Sequence, residues 1–91
     1  MARIARHVRI TGRVQGVFFR GWTSDEARAV GVAGWVRNCG DGSVEAHLEG
    51  AAEDVDELID IMREGPPGAR VDHVEIETAD PEGHGSFEVR H

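Results

Sequence analysis

The chain has no lysine, a single cysteine and no hydrophobic span, and each absence narrows what it can be. The lone Cys39 excludes an intramolecular disulfide, so 91 residues must supply their own core near the lower end of the size at which this succeeds unaided. With no apolar span and nothing signal-like at Met1, Ala2, Arg3 and Ile4, a soluble, cytoplasmic protein with no membrane partner is the expectation. Internal repeats, low-complexity tracts and linkers are also missing, which predicts one domain over residues 1–91. All ten basic side chains are arginine, a composition that a GC-rich genome and adaptation to high salt both produce.

The formal charge of −7 argues against a duplex-binding protein, whose affinity comes mainly from basic side chains meeting backbone phosphates. That charge is unevenly placed. Residues 1–37 hold seven arginines against Asp25 and Glu26, a balance of +5, whereas residues 38–91 carry −12. A small anion would settle on the first part.

From Ile4 onward, Ile4, Val8, Ile10, Gly12 and Val14 alternate with polar Arg9, Thr11 and Arg13, the period of a half-buried strand. Residues 21–31 read as a helix closed by Gly31. Thr23 and Glu26 have capping-box spacing, which leaves its start anywhere from Phe19 to Thr23 and makes Thr23 a cap in preference to a ligand. Residues 33–38 form a second apolar stretch. In a third, Val44, Ala46 and Leu48 alternate with Glu45, His47 and Glu49, and Gly40, Asp41 and Gly42 supply the hairpin turn between the two. Val55, Leu58, Ile59 and Met62 repeat at helical spacing behind Glu53 and Asp54 in a first turn, until Gly65, Pro66, Pro67 and Gly68 stop the helix. Residues 71–77 read as a fourth strand and 87–90 as a short fifth, after a polar loop over 80–85. This order, βαββαβ plus a short fifth strand, is two interleaved βαβ units. It predicts an α+β, ferredoxin-like α/β sandwich whose antiparallel-rich sheet carries both helices on one face.

The chemistry concentrates in the run Gly12, Arg13, Val14, Gln15, Gly16, Val17, Phe18, Phe19, Arg20. It leads a strand through a glycine turn to an arginine beside a helix start. Successive backbone N–H groups in such a turn, with those of the helix start, converge on one point of partial positive charge, and a guanidinium adds a bidentate fork suited to phosphate. Gly16 supplies a positive φ or a close backbone approach. Val17, Phe18 and Phe19 either shape the cradle or fill the core, and core is the preferred reading for the two phenylalanines.

That run resembles the first signature of the acylphosphatases. The second signature is matched in register by Gly34, Trp35, Val36, Arg37 and Asn38, then Gly42, Ser43 and Val44, then Gly50. The resemblance implies hydrolysis of a carboxyl-phosphate anhydride, a small-molecule acyl phosphate, to a carboxylate and inorganic phosphate, with no metal and no cofactor. It makes Arg20 the phosphate-binding and catalytic arginine, Gln15, Gly16, Val17, Phe18 and Phe19 the rest of the phosphate cradle, and Asn38 the residue that positions the attacking water. A carboxylate leaves readily, its conjugate acid having a pKa of roughly 4, so no general acid need protonate it. Positioning and electrostatic stabilisation then suffice for phosphoryl transfer.

Other sites fare worse. A thiolate phosphatase needs an arginine six residues after its cysteine, where Cys39 is followed by Glu45. His7, His47, His73, His84 and His91 lack ligand spacing and read as solvated or sheet-face residues. A single-stranded RNA-binding module shares the element order, but its central strands stack bases on aromatics, which 8–12 and 44–48 lack. A non-catalytic or accessory acylphosphatase-like domain is the remaining alternative. Nothing in the pattern asks for an oligomer, so a monomer is expected.

Overall fold

A computed structural model describes residues 3–91. The elements are β1 (Arg3–Arg13), α1 (Phe19–Val30), β2 (Ala33–Asn38), β3 (Val44–Ala51), α2 (Ala52–Glu64), β4 (Arg70–Ala79) and β5 (Phe87–Arg90), the expected order. They build one five-stranded sheet ordered β4-β1-β3-β2-β5. β1 lies antiparallel to β3 and β4, and β2 antiparallel to β3, with Ile10 opposite Val44 and Val36 opposite Ala46. β5, reached by a crossover from the far edge, joins β2 in parallel, so the sheet is mixed.

Alternation decides which face the helices cover. Val8 and Ile10 of β1, Val36 of β2, and Val44, Ala46 and Leu48 of β3 share one face and are buried, against Val55, Leu58, Ile59 and Met62 of α2 and Phe19 and Ala27 of α1. Each such large apolar side chain contributes roughly 1.5–3 kcal/mol when fully buried. Gly34 is indispensable to the β2–β3 pairing. It sits at φ 134°, and a Cβ there would lie 1.8 Å from the His47 carbonyl oxygen.

On the opposite face His47 is a sheet-face residue, one of the two settings expected of the histidines, and it and the acids beside it are covered rather than solvated. Glu45, His47 and Glu49 are only 7%, 3% and 0% exposed. β3 is the middle strand, so long side chains on its neighbours reach over it. Glu45 accepts from Arg37 and lies 3.0 Å from His7 Nε2, while Trp35 stacks on His47 with ring centroids 6.3 Å apart. The loop between β4 and β5 completes the cover, its Glu82 and His84 amides donating to Glu49. No helix among the described residues is long and apolar enough to cross a membrane.

Candidate active site

The helix start settles the conformation of the cradle. α1 begins at Phe19, and the capping-box reading of Thr23 is not realised: Thr23 lies inside the helix, its buried hydroxyl without a hydrogen-bond partner. The cap residue is Phe18, at φ 62° and ψ 25° in the left-handed region, and no side chain caps the helix. Trp22 N–H donates to the Phe18 carbonyl at 3.0 Å, closing the first turn. The amides of Phe19, Arg20 and Gly21 therefore stand at the open end of the helix dipole, where an anion is stabilised. Gly16 at φ 74° adds a second left-handed residue to the same turn.

Holding a phenylalanine at positive φ costs about 1–3 kcal/mol, a strain that surrounding structure must over-determine. Phe18 is 73% exposed and so is not the core residue expected, whereas Phe19 is 1% exposed and is. The Phe18 ring folds over Gly21, where an added Cβ would sit 2.5 Å from it. A left-handed aromatic cap has no signature in propensity. The absence of any Ser, Thr, Asp or Asn just ahead of Phe19 was the available signal that the amides are kept open.

Arg20 and Asn38 come together. A cavity of about 260 Å³ is lined by Gly16, Phe18, Arg20 and Gly21 from the turn and helix start, by Asn38 from the end of β2, and by His91. Arg20 is held from the side of β5: its Nη1 lies 3.1 Å from the Arg90 carbonyl oxygen and 3.1 Å from His91 Nδ1. β5 thus has a task its length conceals. Of the predicted cradle residues, Val17 is half-buried and Gln15 behaves differently. The Gln15 Nε2 donates to the carbonyls of Cys39 at 2.8 Å and Ser43 at 2.9 Å, the two sides of the β2–β3 turn. Its side chain ties the cradle to the hairpin that carries Asn38, and neither Gln15 nor Val17 is among the residues lining the cavity. Asp41 holds the turn from the other side by accepting from the Ser43 amide and hydroxyl and from Arg9. The hydrogen bonds from Ser43 hold the Asp41 carboxyl below its usual range. Cys39 remains a half-buried free thiol that donates its backbone N–H to the Ser43 carbonyl at 2.8 Å.

An α+β sandwich of ferredoxin-like topology thus gathers an uncapped helix start, Arg20 and Asn38 around one cavity, an arrangement suited to a small anion. The family model described as Acylphosphatase matches residues 6–89, and the chain belongs to the acylphosphatase family. It is 54% identical over 89 residues to an acylphosphatase of Thermococcus kodakarensis, covering 98% of each chain. Among solved structures it is similar to the acylphosphatase of Bacillus subtilis, with TM-score 0.94 and 31% identity over 97% of this chain and 99% of that one. HypF of T. kodakarensis matches with TM-score 0.86 and 32% identity over 97% of this chain but 12% of its own.

Proposed function

We propose that Arg20, Asn38 and the backbone of residues 15–19 carry the reaction of this acylphosphatase: hydrolysis of an acyl phosphate to a carboxylate and inorganic phosphate. The observation that carries this reading is one cavity lined by the open helix start, Arg20 and Asn38. The phosphoryl group rests against the amides of the cradle. Arg20, braced by Arg90 and His91, donates to its oxygens and gains strength as charge spreads over them in the transition state. Asn38 orients a water for in-line attack on phosphorus. Because the departing carboxylate needs no protonation, the chain has only to position the reactants and stabilise charge. Cradle, arginine and amide all come from one chain, so a monomer suffices as the acting unit. The substrate is a small molecule, and the net charge of −7 disfavours nucleic acid.

Benzoyl phosphate hydrolysis, followed with chelator present, tests the assignment. Asn38→Ala is expected to lower kcat by roughly 10²- to 10³-fold, the usual cost of losing a preorganised donor. Arg20→Gln should lower kcat at least as far and also weaken inhibition by inorganic phosphate, since it meets ground and transition states alike. Circular dichroism should show both variants folded. Wild-type rates in the two would sink the assignment, and phosphate binding without turnover in the wild type would favour an accessory domain.

A further inference from the structure

Toward the other end of the sheet, and on the face away from the helices, four side chains from two places in the sequence converge. His47 and Glu49 are neighbours on one face of β3, 4% and 0% exposed at their side chains, and the loop between β4 and β5 brings Glu82 and His84 onto them. His47 Nε2 lies 3.1 Å from Glu49 Oε2 and 3.8 Å from Glu82 Oε1, and that same Glu82 oxygen lies 2.8 Å from His84 Nε2. The donor atoms of His47, Glu49 and His84 all fall within 4.8 Å of one another. Around a tetrahedral zinc ion with bonds of about 2.0–2.2 Å, neighbouring donors stand roughly 3.3–3.6 Å apart. The contacts of 2.8, 3.1 and 3.8 Å, three of the six edges of such a tetrahedron, fall on either side of that length.

We propose that His47, Glu49, Glu82 and His84 form a tetrahedral site for a divalent transition-metal ion, zinc by preference, that clips the β4–β5 loop onto the open face of the sheet. The donor set is two imidazoles and two carboxylates, which suits zinc and cobalt and lacks the six to eight oxygens that calcium takes. Two of the ligands are already held by outer partners. Trp35 stacks on the His47 ring, while Glu49 Oε1 accepts from Arg3 at 3.1 Å and from the His84 amide, and Oε2, which faces His47, accepts from the Glu82 amide at 2.6 Å. Such outer contacts orient metal ligands in advance. Trp35, opposite His47 in β2, is three residues before Asn38, roughly 10 Å along the strand, and His47 points away from the helix-facing side to which Asn38 belongs, so the ion would brace the loop without ligating at the phosphate site.

The test uses untagged, chelator-stripped protein titrated with Co²⁺ and Zn²⁺. Expected are one ion per chain, the intense visible absorption of tetrahedral Co²⁺, and a thermal midpoint raised by about 10 °C or more when free Zn²⁺ reaches a hundred times its Kd. His84→Gln and Glu82→Gln should each weaken binding at least tenfold, whereas His73→Gln, on exposed β4, should leave it unchanged. Glu82 is half exposed, so its variant keeps the test decisive if the histidine variant misfolds. Absence of stoichiometric binding, unaltered affinity in Glu82→Gln, or loss in His73→Gln overturns the site. Because the readouts are binding and stability, failure here is separable from failure of the hydrolytic assignment.

Discussion

Replacing Glu49 by glutamine should remove a large, acid-sensitive share of the stability. Burial by itself would raise this carboxyl, but hydrogen bonds from His47, the Glu82 and His84 amides and Arg3 outweigh it and hold it at about 2 rather than 4.5. The group is fully buried, so solvent screening takes little from that difference. A depressed value means that the folded state prefers the ionised form. The contribution is therefore complete above pH 4.5, declines as pH falls and is gone below about 2. Each decade of difference is worth about 1.4 kcal/mol, which makes the whole roughly 3 kcal/mol, of which about 2 are lost by pH 3. Urea denaturation of wild type and Glu49→Gln at pH 7 and pH 3, with chelator present, checks this. The variant should be about 3 kcal/mol less stable at pH 7 and only about 1 at pH 3. Other carboxylates titrate in both proteins and cancel in the difference. A gap that stays constant between the two pH values would refute the reasoning, since it would reflect packing rather than charge.

Gln15→Ala should destabilise by about 1–3 kcal/mol through two lost hydrogen bonds and lower kcat roughly tenfold with KM unchanged, because the hairpin bearing Asn38 is no longer tied to the cradle. Steady-state kinetics beside urea melts would show it, and a wild-type kcat would remove Gln15 from the positioning machinery. Gly34→Ala forces a Cβ to within 1.8 Å of the His47 carbonyl at a φ of 134°, and a loss above about 3 kcal/mol, or no soluble protein, is expected; a variant within 1 kcal/mol of wild type, roughly the ordinary mutational cost, would contradict the close approach. Thr23→Val removes a buried hydroxyl that has no partner and should stabilise by about 1 kcal/mol with kcat unchanged. A fall in kcat at equal stability would instead place that hydroxyl in the chemistry.

The order of elements was legible because each of them follows a local rule. Val55, Leu58, Ile59 and Met62 keep helical spacing and all four are buried, while Gly40, Asp41 and Gly42 turn the chain between two strands whose apolar residues then face each other in register. The juxtaposition of Arg20 with Asn38 came from the paired motifs, and the topology explains why they can meet. The end of β2 and the start of α1 lie on the same side of the sheet, and Asn38 pairs with Val44, whose side chain belongs to the helix-facing core. What was not legible depends on contacts without a period. The left-handed Phe18 defies its own backbone preference because the turn needs that geometry to expose the helix amides, and no propensity rule predicts a residue chosen against propensity.

The polar face of β3 shows the same limit from the other direction. Alternation correctly placed Glu45, His47 and Glu49 opposite the core, but whether that face meets water depends on what the neighbouring strands and the crossover loop carry over it. Period two fixes the side on which a residue points, not its exposure. Complementary charge was the overlooked signal. Opposite Glu45 stand Arg9 and Arg37, of which Arg37 covers it and Arg9 turns to Asp41, and beside Glu49 the register brings Arg3 within reach, so two arginines had places waiting over the acids of one strand. The connection from β4 at one edge to β5 at the other starts and finishes at one end of the sheet, and there it passes over the face without helices, where it meets Glu49. The loop's backbone amides then need acceptors, and Glu49 supplies two. The same crossing that buries Glu49 delivers β5 to the edge beside β2, where Arg90 and His91 meet Arg20. The anchoring of the loop at one end of the sheet and the aim of the arginine at the other are therefore consequences of a single chain path.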